Sequence, residues 1–402
     1  MDKQLKILMI CHDTSKGPKS ANTRSHAMGH QLVSRGHQVT LLLISEEEHW
    51  HIHEFNWDGV RAVETPHLAI GRIRYGWDFW NALWRYGFLY RDPPVYDLVH
   101  CFETRPATIY PALWYSRKHH LPIITDWNDW WGHKGLVAIN RPWWYSLLKL
   151  EGIETYFEEA FRAKAAGLTV ISSALAERAI GLGVKPERIL HLSGGTFPDW
   201  FKLRSKEECR SRIGFPFDIP ILGFSSSDSH FDMDIVMAAL SIVARTYPTI
   251  KLIVTGQARK SLYDLTEVYQ VQDHVCFVGF VPFEELPWYL GCADLFLLPM
   301  LDRPYNQGRW PNKMGDYMSL GRPTVANPVG DVKKLFEKHS IGLLADWQPE
   351  DFAKKIIDIL SNLALAGNLG MNARRVAETE YDWRILAENL EGFYYKICEM
   401  EK

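Results

Sequence analysis

Twice along the chain, short β-branched apolar runs alternate with helical patterns, and this repeated alternation restricts the fold more than any other feature. In the first series, strands are expected at 6–11, 38–44, 96–101, 122–125, 166–171 and 188–192. Helices are expected at 25–35, where Gly36 supplies the C-terminal stop, at 107–119, and at 173–180 behind the capping residues Ser172 and Ser173. In the second series, strands fall at 221–224, 251–255, 275–278, 295–298, 323–326 and 342–344. Helices fall at 232–246, 284–290, 313–320, 331–339 and 349–360. Continuous apolar strands separated by helices imply parallel sheets covered on both faces. The expected fold class is therefore α/β, with two Rossmann-like, doubly wound parallel-sheet domains.

A length of 402 residues suits two domains. The boundary is expected in the polar stretch 202–208. This gives a first domain over 1–203, completed by a C-terminal helix at 381–402, and a second over 204–380.

A net charge of −3 argues against a nucleic-acid partner bound by bulk electrostatics. The six cysteines show no CxxC spacing, so reduced thiols are expected rather than a disulfide framework or zinc site. No apolar run reaches the roughly 18 residues of a membrane span, and the opening apolar stretch is too short for a signal peptide. The expected compartment is the cytoplasm.

The strongest motif is RWPNKMGDYMSLGRPTVA at 309–326. Pro311 suits a first helical turn, and the helix start at Pro311, Asn312 and Lys313 would present backbone N–H groups and a positive charge to an anion. Asp316 lies one turn beyond Lys313 on the same face and could accept hydrogen bonds from ribose or sugar hydroxyls. Met314 and Met318 are expected to face the core. An ordinary helix with a surface Lys–Asp pair fits the spacing equally well.

Together with VCFVGFVPFEELPWYLGCADLFLLP at 275–299, this motif resembles the donor domain of family 4 retaining glycosyltransferases with the GT-B fold. The stretch ISSALAERAIGLGVKPERILHLSGGTFPDWF from Ile171 and the opening KILMIC…RSHAMGHQLVSRGHQVTLL resemble the same family collinearly. The resemblance implies two domains facing across a cleft, with the donor nucleotide on the C-terminal domain and the acceptor mainly on the N-terminal one. The family's signature is a pair of glutamates separated by seven residues. The second matches Asp316, and the first falls at Gly308, where Asn306 or Gln307 could substitute. The family's Arg/Lys pair for the diphosphate is replaced in the loop 223–232. Ser225 and Ser226 stand at the Arg position and His230 or Phe231 at the Lys position, with Arg309, Lys313 or Arg303 available to compensate.

The stretch TDWNDWWGHK at 125–134 matches the family's loop that meets the reacting sugar, with Asn128 at the histidine position between Asp126 and Asp129. Either aspartate could stabilise positive charge at the anomeric carbon or take the acceptor's proton. The alternatives are a turn cap for Asp126 and a solvated Asp129. The loop 12–24 would open on the same cleft, with Gly17 and Ser20 allowing close approach and Arg24 within reach of a phosphate or simply on the surface.

Trp130 and Trp131, with Trp143 and Trp144, are acceptor-side candidates. Trp77, Trp80 and Trp84 recur at helical spacing, and the reading adopted is a core-facing stripe, with a sugar platform or membrane contact as the alternative. His49, His51 and His53 alternate, but no partner ligands stand at metal-site spacing, so a solvated segment is expected.

The resemblance thus implies transfer of a sugar from a nucleotide-diphosphate donor to a glycan or lipid-linked acceptor, with retention, in surface polysaccharide or glycoconjugate synthesis. No cofactor or metal is expected, and peripheral association with the inner membrane face is an option. The rival is a degenerate, non-catalytic relative that binds a glycan or protein. A dinucleotide oxidoreductase is disfavoured because no GxGxxG follows the first strand.

Overall fold

The computed structural model describes residues 4–15, 23–68, 76–91, 95–136, 150–225 and 232–402. Among the sequence candidates, Gly17, Ser20, Trp143, Trp144, Ser226, His230 and Phe231 lie outside them. The chain forms two units. One comprises Met1–Ser193, Gly308–Trp310 and Trp383–Lys402, and the other Gly194–Gln307 and Pro311–Asp382.

The first unit holds β1 (Lys6–Ile10), β2 (Gln38–Ile44), β3 (His53–Trp57), β4 (Val60–Thr65), β5 (Leu98–Phe102), β6 (Ile123–Trp127), β7 (Gly167–Val170) and β8 (Ile189–His191). They form one sheet in the order β3-β4-β2-β1-β5-β6-β7-β8. Every pairing is parallel except β3 with β4. Strands such as β2, whose last six residues are all buried, are largely apolar, as a parallel sheet buried on both faces requires.

The C-terminal helix Trp383–Met400 buries Trp383, Leu386, Leu390, Phe393, Tyr394 and Ile397, an i, i+3/i+4 stripe. It packs on the helix Arg24–Ser34. Glu391 fastens it by accepting from Arg35 Nε at 2.8 Å and meeting His37 Nε2 at 2.6 Å.

The second unit holds β9 (Ile221–Ser225), β10 (Lys251–Thr255), β11 (Val275–Gly279), β12 (Leu295–Leu298), β13 (Thr324–Ala326) and β14 (Gly342–Leu344). The order is β11-β10-β9-β12-β13-β14, all parallel. Its core is built from Leu222, Val254, Leu295, Val325 and the buried faces of helices Met233–Thr246 and Pro349–Leu360. Met314 and Met318 are fully buried, as expected.

One reading of the first unit needs correction, and one element goes beyond the sequence reading. The histidine segment after β2 is solvated as expected, with His51 and His53 exposed, and it leads into the hairpin of β3 and β4. Asp58 (φ 50°) and Gly59 (φ 86°) both take the left-handed conformation that a two-residue hairpin turn requires. The tryptophan stripe does not face the core. In the helix Phe79–Arg91 the buried residues are Asn81, Ala82, Arg85, Phe88 and Leu89, while Trp80 and Trp84 are half-buried. The physical reason is a need for donors. Beneath this helix lie carbonyls with lone pairs still to satisfy, among them Ala107 O, whose helical donor position is taken by Pro111 with no N–H, and polar side chains reach them. Arg85 donates to Cys11 O at 2.6 Å and Ala107 O at 2.9 Å, and Asn81 to Thr65 O at 3.0 Å and Pro66 O at 2.8 Å.

Candidate functional site

In each sheet the strand order reverses beside the first strand of its series, between β1 and β5 and between β9 and β12. Ligands of open α/β sheets bind outside the carboxyl ends of strands at such points.

In the first unit, β5 and β6 deliver Glu103 and Asn128 to this edge. Asp126, still within β6, is fully buried. Its carboxylate is taken up by Arg24, whose Nε and Nη2 donate to it at 3.0–3.2 Å, and by Thr169 Oγ1. The same guanidinium donates to Leu192 O at 2.6 Å and Ser193 O at 2.8 Å. Two residues given separate roles from sequence are therefore one buried ion pair.

The pair continues into a relay. Tyr394 OH lies 2.6 Å from His100 Nδ1, and His100 Nε2 lies 3.2 Å from Thr169 Oγ1. Burial lowers the imidazole to about 4, so it is neutral at physiological pH. With Thr169 donating to Asp126, the consistent tautomer has Nε2–H donating to Thr169 and Nδ1 accepting from Tyr394.

The next turn is organised by another buried carboxylate, Glu158. Its Oε1 accepts from Trp127 Nε1 and the Trp131 N–H, each at 2.9 Å, and Oε2 from the Gly132 N–H at 2.5 Å. A Cβ on Gly132 would come within 2.4 Å of that Oε2, so the glycine permits the approach. Arg178 donates to Glu158 at 3.2 Å and lies 4.3 Å from the Trp130 ring centre, and Arg105 lies 5.1 Å from that of Trp131. Both indoles are half-buried.

Asn128 and Asp129 are likewise half-buried, and the Asn128 Oδ1 is buried with no hydrogen-bond partner among the described residues. Such an atom is costly unless something else satisfies it.

Sequence reasoning missed Glu103. It follows β5 in a left-handed conformation (φ 63°), and its Oε1 accepts from the Asn128 N–H at 3.3 Å. Burial raises its carboxyl group from the usual carboxylate range to about 7, against the opposing pull of Arg162 and Arg105, with Asp129 and Glu158 adding to the rise. A proton at that position is available for exchange near neutrality. The only sequence signal was its place just after a buried strand.

Because the folded state holds this proton up to about pH 7 and the unfolded chain releases it near 4.5, stability should fall as pH rises through that window. Urea midpoints at pH 5 and pH 8 are expected to differ more in the wild type than in Glu103→Gln, by an amount on the order of 2–3 kcal/mol. Equal pH dependence in the two proteins would refute the buried-acid reading.

In the second unit, β9 ends at Ser225, whose N–H donates to Tyr317 OH at 2.8 Å. Tyr317 stacks on Phe296, with ring centres 3.9 Å apart and planes 5° from parallel. This fixes the helix Lys313–Ser319 to the end of β9 and the face of β12. Gly315 lets that helix close on Thr196, because a Cβ there would lie 2.9 Å from Thr196 Cβ.

Lys313 Nζ sits 4.0 Å from the Phe224 ring centre, at the β9 edge. Asp316 is half-buried, and desolvation raises its carboxyl group to about 8, with Lys313 pulling in the opposite direction. A strongly perturbed acid beside a lysine at a sheet's carboxyl edge marks a site candidate.

The remaining candidates divide. Asn306 is fully buried and donates to Asp232 Oδ2 at 3.0 Å and Leu301 O at 2.7 Å. Gln307 donates to Asp302 at 2.7 Å. Asn312 is exposed and Pro311 buried at the helix start. Gly308 and Arg309 group with the first unit. Among the described residues no cluster of three or more His, Cys, Asp or Glu side chains could hold a metal ion.

Residues 220–362 match the family described as "Glycosyl transferases group 1", and residues 21–195 match "Glycosyl transferase 4-like domain". The chain is 24% identical over 209 residues to spore coat protein SA of Bacillus subtilis, across 48% of this chain and about half, 53%, of that relative. It is 21% identical to alpha-D-kanosaminyltransferase of Streptomyces kanamyceticus, covering 74% of this chain and 76% of the relative. Among solved structures it resembles Anabaena Alr3699/HepE in complex with UDP and glucose, with a TM-score of 0.71 and 17% identity over 98% of this chain and 100% of the other.

Proposed function

The chain belongs to the group 1 glycosyltransferases and has the GT-B fold, and from that premise we propose that it transfers a sugar from a nucleotide-diphosphate donor to a glycan or lipid-linked acceptor, with retention at the anomeric carbon. The observation that carries this reading is the Lys313–Asp316 pair at the carboxyl edge of β9, in the unit that matches the group 1 description.

In the proposed mechanism, Asp316 in its ionised form accepts hydrogen bonds from the ribose hydroxyls. Lys313 and the backbone at Pro311–Lys313 neutralise the diphosphate as it leaves, so that charge developing on the leaving group meets fixed donors. Asn128 and Asp129 face the reacting sugar or acceptor. The buried Asp126–Arg24 pair holds β6 and the loop after it in place rather than meeting substrate. Support from relatives is of the same kind: the printed names include a kanosaminyltransferase and a protein crystallised with UDP and glucose.

A thermal-shift screen against UDP, GDP, ADP and dTDP tests the reading. A ligand that binds only the folded state, at a hundred times its Kd, adds roughly 2.7 kcal/mol and raises the melting temperature visibly. One base is expected to stand out. No shift with any of the four would favour a degenerate binding relative.

A further inference from the structure

Asp126, Glu158 and Glu103 are all buried around the carboxyl edge of β5 and β6, but only the first two are committed. Arg24 and Thr169 fill the Asp126 carboxylate. Arg178, the Trp127 indole and two backbone N–H groups fill that of Glu158. Glu103 is equally buried, at 3% exposure, yet among the described residues it forms no ion pair. Its one side-chain hydrogen bond there is the long one, 3.3 Å, from the Asn128 N–H to Oε1, and Oε2 receives none.

The backbone is built to present this group. Glu103 has a φ of 63°, which residues with a side chain seldom adopt. Cys101 Sγ and Thr108 Oγ1 each donate to Glu103 O at 3.0 Å, and the Glu103 N–H donates to Asp126 O at 3.3 Å. A residue fastened in a sparsely populated conformation, beside the point where the strand order reverses, is the kind that serves a site.

Two neighbours carry polar atoms that the fold leaves unpaired. Asn128 Oδ1 and Arg162 Nη2 are buried with no hydrogen-bond partner among the described residues. Arg162 spends its other nitrogens on carbonyls, Asp126 O at 2.7 Å and Glu158 O at 2.8 Å, and not on a carboxylate. Its charge and that of Arg105 still favour ionised Glu103, against burial, Asp129 and Glu158. Glu103 can therefore take up and release a proton, whereas Asp126 has no open position to receive one.

We propose that Glu103 is the catalytic base of the transfer, taking the proton of the acceptor's attacking hydroxyl. This rests on the sugar-transfer reading and names the residue that receives the proton in it. The acceptor's O–H bond breaks as its oxygen bonds to the anomeric carbon. The bond from that carbon to the diphosphate oxygen breaks, and the diphosphate leaves with the electron pair. The proton passes to the Glu103 carboxylate and returns to solvent once product has left.

The experiment is nucleoside diphosphate release by the full chain from UDP-, GDP-, ADP- and dTDP-glucose, with water as acceptor, between about pH 5.5 and 8.5 at saturating donor. The wild-type kcat should rise about tenfold per pH unit up to about 7 and then level. Saturation leaves the ionisation of Asp316 in KM and out of kcat. Glu103→Gln still accepts from the Asn128 N–H, so near pH 6 it should melt like the wild type and keep the nucleotide-induced shift. Its kcat should nevertheless fall about a hundredfold at pH 7.5 and lose the acid limb. Glu103→Asp should keep the limb at a reduced rate, and Asp129→Asn should move it to lower pH by removing a like charge. An acid limb that persists in Glu103→Gln, or a loss there confined to KM, would overturn the proposal and leave the sugar-transfer reading standing. Release from none of the four donors would overturn both.

Discussion

Asp316→Asn is expected to weaken nucleotide binding by about a hundredfold, roughly 3 kcal/mol, because two hydrogen bonds from ribose hydroxyls to a carboxylate become weaker bonds to an amide. The wild type carries an additional signature. In the free protein the Asp316 carboxyl group is raised to about 8 by desolvation, so at neutral pH most molecules hold the proton. Binding that needs the carboxylate must expel it. The wild-type Kd should therefore tighten by up to tenfold per pH unit between about 6 and 8, then level, while the Asn variant stays flat.

Stability runs the other way. A folded pKa above the unfolded value gives a contribution that is present below about pH 4 and is lost as pH rises through about 8. Asp316→Asn should accordingly melt higher than the wild type at pH 8.5 while binding nucleotide worse, as measured by calorimetry of each protein with and without ligand. A variant that loses binding and stability together would indicate a merely structural aspartate.

Arg24→Ala should have the largest effect on stability. It leaves the fully buried Asp126 with Thr169 but without its counter-ion, and it strips donors from Leu192 O and Ser193 O. Removing one member of a buried ion pair costs about 3–5 kcal/mol. For a domain of this size that is a fall in melting temperature of about 10 °C or more. Arg24→Lys should recover little, because one ammonium cannot reproduce the planar fork that spans a carboxylate and two carbonyls. Pairing Arg24→Leu with Asp126→Leu should recover much of the loss, since no charge is left buried alone. If Arg24→Ala melts like the wild type, the pair is exposed to solvent and Asp126 is free to meet a ligand.

The two parallel sheets were legible because buried strands must be apolar along their whole length. Gln38–Ile44, Lys251–Thr255, Leu295–Leu298 and Gly342–Leu344 fall where the pattern puts them. The hairpin His53–Trp57 and Val60–Thr65 went unread although Asp58-Gly59 is a strong turn signal, because the first strand is largely exposed and the polar Arg61, Glu64 and Thr65 interrupt the apolar run of the second. Helices Lys206–Ile213, Lys260–Val268 and Leu363–Thr379 also went unread.

Within the candidate site, Lys313 and Asp316 were legible because local helical spacing brings them together. The Arg24–Asp126 contact spans 102 residues, and no periodicity encodes such a pairing. Glu103 was illegible for a related reason. Its pKa is raised by burial, with Asp129 and Glu158 adding to the rise and Arg162 and Arg105 opposing it, and the fold gathers all of these from separate segments. The tryptophan helix misled because hydrophobicity alone sets the expectation, whereas carbonyl acceptors beneath it draw Asn81 and Arg85 inside.

The central claim, that this chain uses a nucleotide-sugar donor held at Asp316, is tested most directly by measuring nucleoside diphosphate release. Purified protein would be incubated with each common sugar conjugate of UDP, GDP, ADP and dTDP, with water as the default acceptor. Release from one donor by the wild type, reduced about a hundredfold or more in Asp316→Asn under the same conditions, is the expected result. Release that is unchanged in Asp316→Asn, or absent for every donor even though the protein is folded, would contradict it.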